Sequence, residues 1–211
     1  LTSINTANAQ RASINWGPEE KTAKSEGELI SLGWHNGYYY IFSRELGFTP
    51  SSSQIYRLQK IDKSLKTIFT TNLKLKTTGS VFPVIADKKL YIYKVQRNAI
   101  EKILTIRCFE YDLNGKARDN TVIREIPDFS EKNNSEWGFD FDQSPDKSKI
   151  AIAIYSTFEE AKKVDYHLVN IDLKTPKNCS INSSSFDLTN EENSASLSDF
   201  KILNSGEIIS S

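Results

Sequence analysis

Three phrases recur along this chain of 211 residues: Ile61-Asp62-Lys63-Ser64, Tyr111-Asp112-Leu113-Asn114 and Ile171-Asp172-Leu173-Lys174. Each ends an alternating apolar run with an aspartate and a short turn. An aspartate in that place accepts bonds from backbone amides two residues on, so it closes one strand and aims the next. The phrases fall about 50 to 60 residues apart, with four strand-like runs in each interval. A period of that size and content is the pattern of β-propeller blades. A β-sandwich of about 14 short strands is the rival all-β arrangement. It needs no aspartate turn at a fixed place, so the propeller is the preferred reading.

The units can be laid out from turn chemistry. The first, residues 28–76, pairs strands 28–35 and 38–43 through Asn36-Gly37, a dipeptide suited to a type I′ turn because both central residues take positive φ. A Gly-, Pro- and Ser-rich loop (44–53) leads to strands 54–62 and 65–75. The second, residues 77–128, repeats the plan with strands 80–86, 89–95, 103–112 and 121–126, turns at Asp87-Lys88 and Asn114-Gly115, and a loop over 96–102. In the third, residues 129–194, an alternating run (Trp137, Phe139, Phe141) enters a Ser-Pro-Asp turn. A β-branched run (Ile150, Ile152, Ile154), a charged loop at 157–163, a third strand ending at Asp172 and a fourth within 179–188 follow. Only 157–163 has any helical character. Residues 195–211 begin another unit, with strands 195–204 and 206–210. Tyr39, Tyr91, Ala151 and Ile209 are read as one equivalent place in the second strand. The fold class is therefore all-β, a partial ring of about three and a half four-stranded blades. An open arc leaves an unpaired sheet edge, so further blades are expected after Ser211, with the lead-in segment 10–27, around Trp16, as a ring-closing strand.

Charge is balanced, with 27 basic and 27 acidic residues, which leaves no overall footprint for nucleic acid or an anionic membrane. No segment approaches the roughly 20 apolar residues of a membrane span. The chain starts at Leu1 and holds no Met, as a processed or truncated piece would. Ala7-Asn8-Ala9 has the small-x-small form of a signal-peptidase site, so residues 1–9 are read as a signal-peptide remnant and the protein as extracytoplasmic. Cys108 sits in an alternating strand as a small buried residue, and Cys179 in a loop of another unit; no CxxC or metal-ligand spacing occurs.

Phe141-Asp142-Gln143-Ser144-Pro145-Asp146-Lys147-Ser148-Lys149-Ile150-Ala151 resembles the F-S-P-D-G-x-x-I-A phrase of exported bacterial β-propellers of the WD40-like, TolB-type group. Lys147 stands where the phrase has Gly, and the other units keep the strand plan without the phrase. The opening Ala-Gln and Trp-Gly-Pro-Glu are also similar to the start of uncharacterised secreted propellers of Bacteroidetes-type bacteria. The resemblance implies a binding platform or accessory domain and brings no catalytic residues with it.

Chemistry-bearing candidates are few. His35 precedes a turn and His167 lies in an alternating strand, with neither a G-x-S-x-G elbow nor a cysteine near them in sequence. Asp140, Asp142 and Asp146 form the one carboxylate cluster. Asp140 and Asp142 share a strand face, where their charges repel unless a cation or a lysine neutralises them. They are the candidate binding residues, while Asp146 is assigned to the turn. Six oxygen ligands and a central glycine for calcium are missing, and no metal or cofactor is expected. The aromatic run Trp34, Tyr38, Tyr39, Tyr40, Phe42 could stack on sugar but suits blade packing. Lysines 60, 63, 66, 74 and 76 read as a solvated edge. The Asn133, Asn178 and Asn182 sequons go unused in a bacterium.

The functional expectation is an exported, monomeric platform without catalysis of its own, taking a protein, small molecule or glycan on the rim that carries loops 44–53, 96–102 and 157–163. The alternatives are a propeller-type hydrolase or lyase on saccharides or peptides that uses Asp140 and Asp142, and an accessory propeller ahead of a catalytic domain.

Overall fold

The computed structural model describes residues 26–45, 55–75, 81–98, 100–127, 136–157, 163–187 and 200–210. The proposed signal remnant, the Trp16 segment, most of loops 44–53 and 157–163, and residues 188–199, which include the start of the expected strand 195–204, lie outside them.

Among the described residues fourteen strands form three four-stranded antiparallel sheets and one hairpin, all in meander order. The first sheet holds β1 (Glu26–His35), β2 (Tyr38–Glu45), β3 (Ile55–Ile61) and β4 (Thr67–Leu73). The second holds β5 (Val81–Ala86), β6 (Lys89–Asn98), β7 (Ile103–Asp112) and β8 (Ala117–Pro127). The third holds β9 (Glu136–Gln143), β10 (Lys149–Thr157), β11 (Lys163–Asp172) and β12 (Ser180–Asp187). The hairpin is β13 (Phe200–Ile202) with β14 (Ile208–Ser210). Among the described residues there is no helix, and hence none long and apolar enough to cross a membrane.

The turns do what their residues dictate. Asn36 and Gly37 both take positive φ, 52° and 81°, as a type I′ turn requires. Asp62 Oδ1 accepts from the amides of Ser64 (2.8 Å) and Lys66 (3.0 Å). Asp112 Oδ1 does the same for Asn114 (3.0 Å) and Lys116 (2.9 Å), and Asp172 Oδ1 accepts from Lys174 (2.8 Å). Leu65 and Gly115 occupy the same left-handed position three residues after their aspartates, at φ 62° and 79°. Lys147, where the propeller phrase has Gly, is also left-handed at φ 58°.

Three expectations are corrected. First, β6 runs on through Gln96, Arg97 and Asn98, which pair with Thr105, Leu104 and Ile103. The ladder needs only backbone groups, so polar side chains at a strand end do not stop it. Second, β8 starts at Ala117 rather than Thr121, because an outer strand can keep polar residues on its open face. Third, the equivalent places in the second strand are Tyr40, Tyr91 and Ala151. They lie opposite Lys60, Glu110 and Asn170, each two residues before its turn aspartate or the matching place. Choosing Tyr39 is a slip of one, and a slip of one turns a side chain to the other face. In the ladder all three point at the following unit, and all three are buried. Ile209 of the hairpin is 53% exposed.

Each sheet packs on its successor. Phe42, Tyr56, Leu58 and Leu73 of the first meet Leu90, Ile92 and Tyr111 of the second. Tyr93, Leu104 and Ile106 of the second meet Ile150, Ile152, Ile154 and Val169 of the third. Ala151 and Ala153 face Ile202 of the hairpin. Strand β10 thus alternates isoleucine toward the large sheet and alanine toward the small hairpin, both buried. The first strands crowd together: β1 touches β5, β13 touches β9, and Phe82 of β5 stacks on Phe141 of β9 at 5.1 Å. Clefts open between the outer strands β8 and β12 and between the end of β4 and β7–β8.

Candidate functional site

The two carboxylates singled out by sequence lie on the face of β9 turned toward the hairpin, opposite Ala153 and Ala151. Asp142 Oδ2 accepts the amide of Ile202 at 3.0 Å, and Lys201 Nζ stands 3.6 Å from Oδ1. Asp140 Oδ2 accepts from the Tyr155 hydroxyl at 3.0 Å. Gly138 makes that contact possible: a Cβ there would lie 2.2 Å from Cε2 of the Tyr155 ring. The neutralising lysine and the hydrogen bonds demanded by two carboxylates on one face are therefore supplied by the next unit and by β10. Around them, the Asp146 amide donates to Asn204 Oδ1 (3.1 Å) and Asn170 Nδ2 to Gly206 O (2.8 Å). Asp146 shapes its turn as its sequence context requires, accepting from the Ser148 amide at 3.0 Å and the Ser144 hydroxyl at 2.7 Å, which hold its carboxyl below the usual range. Together these groups clamp the hairpin to the third sheet. Among the described residues no group of three or more His, Cys, Asp or Glu is placed to hold a metal ion.

His167 is buried, stacks on Trp137 at 6.0 Å and lies 2.8 Å through Nδ1 from Ser183 Oγ. With Arg124 and Ile181 the pair lines a cleft of about 330 Å³ between β8 and β12. The imidazole itself is buried and bonded to Ser183, so the cleft presents the Ser183 hydroxyl and the Arg124 guanidinium to a polar ligand. His35 instead bonds through Nε2 to the Leu32 carbonyl at 3.0 Å. Cys108 is buried and Cys179 half-buried, both as free thiols; burial pushes the Cys108 thiol up to about 12.

No protein-family model matches this chain, and no curated protein is significantly similar to it.

Sequence reasoning missed an ionic network at the turn end of the second and third sheets. Glu110 of β7, its side chain 9% exposed, accepts from Lys89 and from Lys177, both at 2.9 Å. Lys177 also reaches Asp119 at 2.6 Å. Those bonds, Lys89 first and Lys177 second, hold the Glu110 carboxyl below its ordinary range. Lys177, then the Asn120 amide, draw Asp119 down to about 2. The Tyr93 hydroxyl adds a bond to the Pro176 carbonyl at 2.9 Å. The only sequence trace of the network is a glutamate in an otherwise apolar alternation.

The aromatic run divides between two faces. Tyr40 and Phe42 are core, with Tyr38 packed against it, and Lys60 Nζ lies 3.9 Å from the Tyr38 ring centroid. Trp34, 52% exposed, meets Tyr39 edge-on at 5.6 Å on the opposite face.

Proposed function

We propose that this chain forms consecutive blades of an exported β-propeller of the WD40-like, TolB-type group, and that it works as an interaction platform for a protein or small-molecule ligand. One observation carries the reading: the two ends of the strands are built differently. At one end every connection is a tight turn, at 36–37, 62–66, 87–88, 112–116, 144–149, 172–178 and 203–207. These turns approach neighbouring units, as Asp146 does Asn204 of the hairpin turn and as Lys147 Nζ does Gly33 of β1. From the other end leave the connections between second and third strands and between successive sheets. One end closed by turns and another that carries the longer connections, over 46–54 and 158–162, are the division of labour of a binding scaffold. The crowding of β1 on β5 and of β5 on β9, with outer strands apart, supports a radial arrangement of the sheets. Ala7-Asn8-Ala9 supports export.

The test uses the full-length protein on an immobilised panel of glycans and peptides. Replacing residues 46–53 and 158–162 by Gly-Ser linkers of equal length should abolish the wild-type binding while leaving the melting temperature unchanged. Binding that survives both exchanges, or turnover of a panel member by the wild type, would sink the reading.

A further inference from the structure

The face of the second sheet turned toward the first carries an apolar row with one break. On β6 the row reads Leu90, Ile92, Lys94, and on β7, directly opposite, Tyr111, Phe109, Arg107. Two cations thus oppose each other across an antiparallel pair, an arrangement that destabilises a sheet. Lys94 is only 5% exposed. Among the described residues no hydrogen bond or ion pair engages its ammonium. Burial, with Arg107 beside it, pulls that ammonium below the ordinary lysine range. Arg107 gives one bond, to Asn120 Oδ1 at 3.2 Å.

Both cations line a cleft of about 620 Å³ between β7–β8 and the end of β4, together with Lys74 and Gln96. The charges that could neutralise them are occupied. Asp119, the acidic residue of the lining, is held by Lys177 at 2.6 Å, and the nearby Asp112 carboxylate by Arg118 at 2.9 Å. An uncompensated buried charge costs stability that a leucine would not. The volume lies in the range of small-molecule sites, about 300–1,000 Å³, and Phe109 and Tyr111 give it an aromatic wall.

We propose that this cleft binds the oxyanion group (carboxylate, sulfate or phosphate) of a small organic ligand, with Lys94 as the buried point charge and Arg107 as the planar fork beside it. The site involves only the first two sheets and does not depend on the ring reading.

The experiment is titration calorimetry of the 211-residue chain with inorganic phosphate, inorganic sulfate and galacturonate, at ionic strength matched with chloride. Saturable binding of at least one probe is expected. Preference for the tetrahedral anions would point to a phosphorylated or sulfated ligand, and preference for galacturonate to a sugar acid. Lys94→Leu and Arg107→Gln should each weaken that binding about tenfold or more, while Lys94→Leu melts no lower than the wild type without anion. If Lys94→Leu fails to fold, Arg107→Gln at its half-buried position carries the comparison. Absence of saturable heat with all three probes up to about 50 mM, or wild-type affinity in the folded variants, overturns the proposal.

Discussion

Glu110→Gln tests the tertiary logic of the second and third sheets. The substitution keeps the shape of the side chain and removes its charge. Glu110 accepts one bond from Lys89 and one from Lys177, each at 2.9 Å, and its side chain is 9% exposed. A hydrogen bond to a charged group contributes about 1.5–3 kcal/mol. The lysine side chains are 43% and 38% exposed, however, and they stay hydrated when the carboxylate is lost, so each bond counts for less than that range. The expected loss is about 2 kcal/mol in all, a fall in melting temperature of about 4–8 °C for a chain of this size. The loss must also depend on pH. Because its lysine partners hold the folded carboxyl below its unfolded value near about 4.3, the stabilisation is present at neutral pH. It fades as pH falls through the lowered folded value. Urea unfolding of wild type and variant at pH 7, 5 and about 3 reads both effects. A gap under about 0.5 kcal/mol at pH 7, or one that stays constant down to pH 3, would refute the assignment of Glu110 as an inter-sheet staple.

Gly115→Ala should destabilise by more than the roughly 1–2 kcal/mol of left-handed strain, since its Cβ would also lie 2.3 Å from Thr71 Cγ2; thermal melts with Thr71→Ser as partial rescue check it. Leu65→Gly and Lys147→Gly, at φ 62° and 58°, should be neutral or stabilising by up to about 1 kcal/mol, and lower stability in both would contradict the turn assignment. Asp142→Ala removes the acceptor of the Ile202 amide and should raise hydrogen exchange across β13 and β14, with global stability falling by no more than about 1 kcal/mol; unchanged exchange would show that the clamp lies elsewhere. Cys108, its thiol pushed up to about 12 by burial, should resist thiol reagents at pH 8 until the chain unfolds, and fast native labelling would contradict its burial.

Strand order was legible in the sequence wherever it rests on local chemistry. Asn36-Gly37 and Asn114-Gly115 can satisfy positive φ without strain, and an aspartate bonds its own neighbours two and four residues on. Polar strand ends were not legible: Gln96–Asn98 and Ala117–Asn120 are aligned by the backbone ladder, which side-chain patterning does not report. At the candidate site, the sequence placed Asp140 and Asp142 on one face and required a neutralising partner. It could not identify Lys201 and the Ile202 amide, about 60 residues away, because nothing local links them.

By itself, then, the sequence determined the repeat: strand, tight turn, strand, loop, strand, aspartate turn, strand, with the isoleucines of β10 on one face and its alanines on the other. Only the tertiary structure decided which face meets which sheet. That choice puts Glu110 against Lys177 of the next sheet, buries Lys94 opposite Arg107, and turns the tempting carboxylates of β9 toward the hairpin. The reason is one of range. Turn chemistry acts over two to four residues, whereas burial and charge pairing act between surfaces that only packing brings together.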